Sequence, residues 1–383
     1  MNEPIPLFLT SLCLSSKNAS GVQTKLLLDQ FPRSRHLFWD ASEFRTLDDR
    51  SARIESLLCA RLSILRGDPH SLKARVISAL GRSWWKDNEL RPEAQRWLSR
   101  RYGSTTSVVY ASPASIRDSE RMMSILVCLG RPFVLHLWDI QDSNQMDSAA
   151  FRWLLAHARH VFCLTREMIR DVSPLRQDTS ILRFTREPSA SIAGAPKDGT
   201  LRIALIGNCR RYRDGVLLLK RALKYVSETG LTPIIVYVGS NKSYRNLAID
   251  LGCDTQITGF VESDAQRDWL LSQCHVGFLP GPLASPSANM FSRYSIPSRI
   301  LDYMATGLPV LAAVHPDSAT SGFMRELGMQ DCMAQDSEAE LADKMNALVD
   351  VNAWKAASKL SLDAFDCGRQ QGSVLRTYLD PAS

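Results

Sequence analysis

Residues 295–312, SIPSRILDYMATGLPVLA, contain a short helix, a tight turn and the start of a buried strand. Pro297 and Ser298 are typical of a helix start, because proline has no N–H to leave unpaired and serine can cap free N–H groups. Gly307 supplies the left-handed turn that ends a helix, and the apolar run 308–313 is typical of a buried parallel strand. The stretch therefore predicts a loop, helix, turn and strand of an α/β fold.

The same stretch is also a candidate ligand site. The predicted helix start offers backbone N–H groups to an anion, and Asp302 lies about one turn further along the helix. Spacing alone leaves two interpretations open: an ordinary α/β connection with a solvated aspartate, or a ligand site.

Apolar strands alternate with helical stretches on both sides of a segment, 185–200, that is rich in Pro, Gly, Ser and Ala. This alternation predicts parallel sheets, and the segment predicts a linker between domains 1–184 and 201–361. Two doubly wound domains would place a ligand crevice at the carboxyl ends of both sheets. We also expect a helical tail over 362–383 that could fold back onto the first domain.

Composition narrows the class of protein. The chain has 383 residues, of which 45% are hydrophobic, and we find no apolar run of the roughly 18–20 residues that a membrane span needs. Nine cysteines are scattered singly, a pattern that favours reduced thiols in a cytoplasmic protein over structural zinc. We interpret the apolar start, residues 1–16, as a buried strand rather than a signal peptide.

Positive charge concentrates in residues 50–101, which hold twelve Lys or Arg against five Asp or Glu and include Trp84, Trp85 and Trp97. Apolar spacing over 53–66 and 72–86 predicts helices there. Basic helices with tryptophans suit an anionic membrane surface, so a peripheral location at the inner face of the membrane is one interpretation. The other is a solvated basic face over a core. No nucleic-acid-binding motif accompanies the charge, and we predict no nucleic-acid partner.

The motifs of several enzyme classes are missing from the sequence. We find no GxGxxG after the first strand of either half, no Walker lysine motif and no GxSxG elbow. We also find no convincing DxD pair. The sequence therefore does not predict a dinucleotide-binding dehydrogenase, and we expect no cofactor.

Basic residues follow the first strand of the second half. Arg210, Arg211 and Arg213 stand between Gly207 and a predicted helix. Forked guanidinium donors and a helix start suit a diphosphate, although a solvated basic loop has the same pattern. We favour the site because the loop would lie at the carboxyl edge of the sheet. Gly239 holds the equivalent place after the next strand.

The order of stretches in the second half resembles a known family. RIALIGN, DGVLLLKRAL, IIVYVGSN, ITGFVESDAQRDWLLSQCHVGFLP and the opening stretch follow one another across residues 201–313. This order resembles that of the glycosyltransferases of the GT-B fold, especially the retaining family 4 (glycosyl transferases group 1). The resemblance implies two Rossmann-like domains that face each other across a crevice. It also implies hexosyl-type transfer from a nucleotide-diphosphate sugar, with retention and without metal, in the assembly of bacterial surface polysaccharide or glycolipid.

The resemblance assigns roles in the second half. Asp302 would bind the donor ribose, and the helix start at Ser298 and Arg299 would face the donor phosphates. Backbone at Phe260 and Val261 would face the base. Further donor contacts would come from Gly207, Arg211 and Gly239, and Arg210 and Arg213 would stabilise the leaving diphosphate. Tyr294 stands where the family often has its first glutamate.

In the first half, SGVQTKLLLDQF resembles the glycine turn of the family, which would bring Gly21 to the transfer site. PFVLHLWDI resembles the strand that ends near the sugar, which indicates His136 and Asp139 as catalytic candidates. A histidine at a strand end can equally be structural.

Two other functions fit the same architecture. A sugar-nucleotide epimerase would act without an acceptor. A non-catalytic nucleotide-sugar-binding protein would bind the donor without hydrolysing it, which the missing first glutamate favours slightly.

Overall fold

The protein forms two compact units, Met1–Thr185 with Gln371–Ser383, and Arg186–Gln370. The computed structural model describes residues 5–10, 26–27, 30–31, 34–38, 54–56, 85–86, 89–138, 140, 143–183, 186–196, 199–259, 261, 263–335, 337–369 and 372–379. Within these residues, no helix is both long and apolar enough to cross a bilayer.

The first unit is built on a seven-stranded sheet in which every paired strand is parallel. Its spatial order is β3-β2-β1-β6-β7-β8-β9. The strands are β1 Ile5–Thr10, β2 Arg35–Phe38, β3 Ile54–Ser56, β6 Thr106–Ser112, β7 Phe133–Leu137, β8 His160–Cys163 and β9 Thr179–Ile181. Strands β4 Trp85–Lys86 and β5 Glu89–Leu90 form a separate antiparallel pair.

Two strands correct parts of the helices predicted over 53–66 and 72–86, and the other residues of both stretches lie outside the described residues. Residues Ile54–Ser56 pair in parallel with β2, and Trp85–Lys86 pair with β5. Backbone pairing across the sheet overrides the local helical spacing of apolar residues there. The first described helix after this segment is α1, Pro92–Tyr102, which begins with a proline in its first turn.

Polar caps explain where the next helices of the first unit begin. These helices are α2 Ile116–Leu129, α3 Ala149–His157 and α4 Arg166–Val172. The side chains of Ser115, Ser148 and Thr165 each accept a backbone N–H from the first turn of their helix. Gly130 ends α2 in the left-handed conformation, with φ of 58°.

The C-terminal helix α13, Gly372–Leu379, completes the core of the first unit. Its Leu375 and Leu379 are fully buried in one cluster with Phe8, Tyr110 and Phe162. The helix that precedes it, Val351–Arg369, lies in the second unit. The tail predicted over 362–383 is therefore divided between the two units.

The second unit has a six-stranded parallel sheet in the order β12-β11-β10-β13-β14-β15. Its strands are β10 Thr200–Ile206, β11 Thr232–Val238, β12 Asp254–Ile257, β13 Val276–Pro280, β14 Val310–Ala313 and β15 Met333–Ala334. The chain order reverses between β10 and β13. In open sheets of this kind, ligands bind outside the carboxyl ends of the strands at this reversal.

Helices connect the strands of the second unit and cover its sheet. They are α5 Arg213–Glu228, α6 Asn241–Arg245, α7 Asp264–Ser272, α8 Met290–Tyr294, α9 Arg299–Ala305, α10 Ala319–Glu326, α11 Glu338–Ala347 and α12 Val351–Arg369. Residues 186–196 of the predicted linker also belong to this unit. They run along the end of α9, where the N–H of Ala193 donates to the carbonyl oxygen of Thr306 at 2.9 Å.

Candidate functional site

The candidate site lies at the carboxyl ends of β10 and β13 in the second unit. β10 ends at Ile206, and Gly207 then turns the chain with φ of 75°, a conformation that favours glycine. The N–H of Gly207 donates to the carbonyl oxygen of Val238 at 2.9 Å, and its own carbonyl accepts the hydroxyl of Tyr237 at 2.6 Å. The start of the loop is thus fastened to the neighbouring strand β11.

Residues 207–213, here called the arginine loop, present their basic side chains to solvent. Asn208 accepts the N–H of Arg210 through its side-chain oxygen at 3.0 Å, and a single 3-10 turn leads into α5. Arg210, Arg211 and Arg213 are exposed, whereas Cys209 and Tyr212 are buried. The loop is therefore anchored by its uncharged side chains and offers its guanidinium groups outward.

The start of α5 passes close to the end of β13. A side-chain carbon at Gly215 would lie only 2.9 Å from the carbonyl oxygen of Gly281. Gly281 is itself closely packed, since a side-chain carbon there would overlap the side chain of Val314. The arginine loop and the loop after β13 therefore meet at the point where the strand order reverses.

Arg299, the first residue of α9, braces the arginine loop from within. Its Nη1 atom donates to the carbonyl oxygen of Ile206 at 2.7 Å and lies 3.0 Å from the sulfur of Cys209. Its guanidinium carbon lies 5.1 Å from the centre of the Tyr212 ring. Burial raises the pKa of the Cys209 thiol, and the nearby Arg299 partly opposes that rise. The side chain predicted to contact donor phosphate thus holds the loop that carries the exposed arginines.

Tyr303, one turn further along α9, connects the two central strands β10 and β13 near their carboxyl ends. Its hydroxyl accepts the N–H of Ile206 at 3.2 Å and lies 3.0 Å from the carbonyl oxygen of Phe278. Gly277 makes room for the ring, since a side-chain carbon there would lie 2.5 Å from it. We did not predict a role for Tyr303, and the only sequence signal was a glycine inside an apolar strand.

Asp302 lies in a group of charges, here called the charged cluster, that consists of Arg186, Asp264, Arg267, Asp268 and Asp302. Its Oδ1 atom is 2.9 Å from Nη1 of Arg186 and 3.2 Å from Nη2 of Arg267. Arg186 also pairs with Asp268, and Arg267 pairs with Asp264 at 2.6 Å. We did not predict this cluster, because its members come from three separate segments of the chain.

The other residues of the second unit that are predicted to contact the donor differ in how the structure places them. Ser298 has helical φ and ψ of −58° and −24° and makes no capping hydrogen bond with its side chain, contrary to its expected capping role. Gly239 bridges to Gly259 beside the Tyr237 ring. Val261 is half-buried, and Phe260 lies outside the described residues.

His136, the predicted catalytic residue of the first unit, is fully buried in β7. Its Nε2 atom lies 3.0 Å from the carbonyl oxygen of Leu182 and therefore carries the hydrogen, while Nδ1 accepts the Tyr110 hydroxyl at 2.5 Å. Burial lowers the pKa of His136 to about 3, partly opposed by the Leu182 hydrogen bond. Proton transfer to a substrate would require one of these two hydrogen bonds to break. Gly21 and Asp139 lie outside the described residues.

Metal ligands are not grouped in the described residues. No set of three or more His, Cys, Asp or Glu side chains there is arranged to hold a metal ion. The carboxylates of the charged cluster are instead paired with arginines.

Comparisons with known proteins agree on the fold. Residues 200–350 match the family described as Glycosyl transferases group 1. The structure is similar to that of Anabaena Alr3699/HepE in complex with UDP and glucose, with a TM-score of 0.63 at 14% identity, over 99% of this chain and 100% of that one. No curated protein sequence matches the chain.

Two further solved structures share the fold. TarM has a TM-score of 0.63 at 9% identity, and 98% of each chain is covered. The lipopolysaccharide outer core galactosyltransferase WaaB has a TM-score of 0.56 at 11% identity, over 98% of this chain and 99% of that one. The fold class and enzyme class predicted from the sequence are confirmed: the chain has the GT-B fold, and its residues 200–350 match the Glycosyl transferases group 1 family of enzymes.

Proposed function

We propose that the protein transfers a sugar from a nucleotide-diphosphate sugar to a glycan or lipid-linked acceptor. The observation that carries the proposal is the anchored arginine loop at the end of β10, where Arg210, Arg211 and Arg213 are exposed. It is supported by the relative Alr3699/HepE, which was solved with UDP and with UDP-glucose.

The proposed chemistry assigns each group a role that follows from charge. Negative charge grows on the leaving diphosphate in the transition state, so Arg210 and Arg213 act where that charge develops. Arg211 adds a donor contact, Asp302 accepts the ribose hydroxyls, and backbone near Val261 faces the base. Because arginines supply the positive charge in this scheme, we propose transfer without a bound metal, and with retention as in the family.

The acceptor side of the proposal rests on the relatives and on the basic segment. WaaB acts on lipopolysaccharide outer core by its description, and bacterial surface polysaccharide or glycolipid assembly is the pathway that we propose here. A lipid-linked acceptor would bring the protein from the cytoplasm to the inner face of the membrane.

Thermal shift measurements with UDP-glucose, UDP-N-acetylglucosamine and GDP-mannose test the donor. A sugar nucleotide that binds the folded state raises the melting temperature, by an amount that grows with ligand concentration over Kd. A paired assay should detect slow hydrolysis to free sugar and nucleoside diphosphate. If none of the three ligands moves the melting temperature at millimolar concentration, the proposed donor class is wrong.

Product analysis separates the two alternatives. An epimerase yields an isomerised sugar without an acceptor, and a non-catalytic binding protein yields no product at all. The non-catalytic alternative gains support from Tyr294, which is buried at the place of the family's first glutamate.

A further inference from the structure

The charged cluster is an alternating chain of five ionic side chains. Asp264 pairs with Arg267, Arg267 with Asp302, Asp302 with Arg186, and Arg186 with Asp268. Nη1 of Arg186 also donates to the carbonyl oxygen of Leu301 at 3.3 Å. This guanidinium therefore contacts the backbone of α9 as well as the carboxylate of Asp302. Arg267, Asp302 and Arg186 each therefore have two partners of opposite charge.

The exposed fraction of the side chains differs from one end of the charged cluster to the other. The side chains of Arg186 and Asp268 are 5% and 10% exposed, those of Arg267 and Asp302 are 16% and 17% exposed, and that of Asp264 is 54% exposed. Asp302 therefore lies between one guanidinium that is almost fully buried and one that is slightly more exposed. Burying charges is costly unless they are paired, so this cluster holds its members in defined positions.

Both arginines make their ion-pair contact with the same oxygen of Asp302. Nη1 of Arg186 and Nη2 of Arg267 both approach Oδ1. Among the described residues, none of the ion pairs or hydrogen bonds of this side chain involves Oδ2. Two cations on one oxygen favour this orientation of the carboxylate, while Oδ2 keeps its capacity to accept hydrogen bonds.

We propose that Arg186 and Arg267 are positioning residues that orient Asp302 so that Oδ2 accepts the ribose hydroxyls of the donor. The inference rests on the proposed function, since it assumes that the donor is a nucleotide sugar. On this inference, the charged cluster makes the protein bind ribonucleotides more tightly than nucleotides that lack the ribose hydroxyls. Preorganised contacts of this kind depend on the groups that lock the contacting side chain.

The test uses UDP and 2′,3′-dideoxy-UDP as paired probes, with Kd measured by calorimetry. The wild-type protein should bind UDP more tightly by about tenfold or more, the ratio for a hydrogen bond to a charged group. Arg267→Gln should reduce that ratio to about twofold or less, as should Asp302→Ala, and Arg267→Lys should keep part of it. A purely structural arginine would change the affinity for both probes equally and leave the ratio unchanged.

Arg176→Gln is the matched control. Arg176 in the first unit is also largely buried, is ion-paired with an aspartate, Asp178, and like Arg267 has a buried Nε atom without a hydrogen-bond partner in the described structure. Its substitution should leave the ratio at the wild-type value. Arg186→Gln gives a second variant at the buried end that should also reduce the ratio, and melting temperatures identify any variant that fails to fold.

The outcomes separate the inference from the proposed function. If the wild type prefers UDP and Asp302→Ala removes the preference, but Arg267→Gln and Arg186→Gln both keep it, the positioning role is wrong and the proposed function stands. If the wild type binds neither probe and none of the sugar nucleotides, the proposed function falls and the inference falls with it.

Discussion

Arg299 and Ile206 are joined by a hydrogen bond of 2.7 Å between the Nη1 atom of the arginine and the backbone carbonyl of the last residue of β10. The same guanidinium lies against Cys209 and over the ring of Tyr212. One half-buried side chain of α9 therefore contacts the last residue before the arginine loop and two residues within it. The position of the exposed arginines depends on a cation that is less exposed than they are.

Replacing Arg299 should destabilise the second unit. Arg299→Met leaves the carbonyl of Ile206 without this charged donor, and we expect a loss of about 2 kcal/mol in the free energy of unfolding. Arg325→Met is the matched control, because Arg325 donates to the carbonyl of Pro316 at 2.8 Å but is exposed. Its substitution should cost about 0.5 kcal/mol or less. Denaturant unfolding measures both, and equal losses would contradict the bracing role of Arg299.

The exposed arginines should affect rate more than donor binding. Replacing Arg210, Arg211 and Arg213 by Ala one at a time should yield at least one variant with turnover lowered by about 100-fold, because charge on the diphosphate is greatest in the transition state. Lys224→Ala on the exposed face of α5 is the control, and it lies about 16 Å along the helix from Arg213 at 1.5 Å per residue. If all three arginine variants keep normal turnover, the arginine loop is only a solvated surface.

The sequence predicted the features of the fold that depend on local patterns. The apolar run of β10, the turn at Gly207 and the basic loop after it each follow from neighbouring residues. The contacts that brace the site join residues far apart in the chain, such as Ile206 and Tyr303, which are 97 residues apart. Such contacts have no local signature, which is why the roles of Tyr303 and Arg186 were not foreseen.

Strand pairing explains the main error in secondary structure. Residues 54–56 have helical apolar spacing in the sequence but form an edge strand, because the open side of β2 supplies backbone partners. Spacing likewise could not show that His136, at the end of a strand, has both ring nitrogens hydrogen-bonded inside the core. Burial and partners depend on tertiary packing.

Gly277 should tolerate no side chain while Tyr303 is present. An added carbon would lie 2.5 Å from the Tyr303 ring, which is fixed by backbone hydrogen bonds at its hydroxyl. We expect Gly277→Ala to destabilise the protein by about 1–3 kcal/mol through overpacking. Gly194→Ala is the control, because nothing lies within 4 Å of the added carbon there. A Gly277→Ala variant with wild-type stability would show that the ring moves freely.

Low pH should destabilise the first unit through His136. The folded pKa is about 3 against an ordinary value of 6.5, so the unfolded chain takes up a proton first as pH falls. The stabilisation is complete above pH 6.5 and should fall by about 2 kcal/mol at pH 5, at 1.36 kcal/mol per unit. Melting temperatures measured from pH 7.5 to pH 5 should decline less steeply in His136→Gln than in the wild type. The exposed His157, changed to Gln, should leave the wild-type slope; equal slopes for all three proteins would exclude a buried neutral His136.

The basic segment should bind anionic membranes through exposed arginines. Trp84 and the side chain of Trp85 lie outside the described residues, but Arg91 and Arg100 are exposed at the start and along α1. Each basic residue near an anionic surface contributes on the order of 1 kcal/mol, and salt screens that attraction. The protein should therefore sediment with vesicles that contain phosphatidylserine at low salt and be released as ionic strength rises.

Two pairs of charge-removing substitutions test whether this binding is local to α1. Arg91→Gln with Arg100→Gln should weaken vesicle binding by about 30-fold, the equivalent of two surface cations. Lys224→Gln with Lys355→Gln removes the same net charge from exposed positions in the second unit and should leave binding nearly unchanged. Equal losses in both double variants would indicate attraction to the net charge of the chain. Equal binding of the wild type to neutral and anionic vesicles would show that residues 50–101 serve the core or a protein partner instead of a lipid surface.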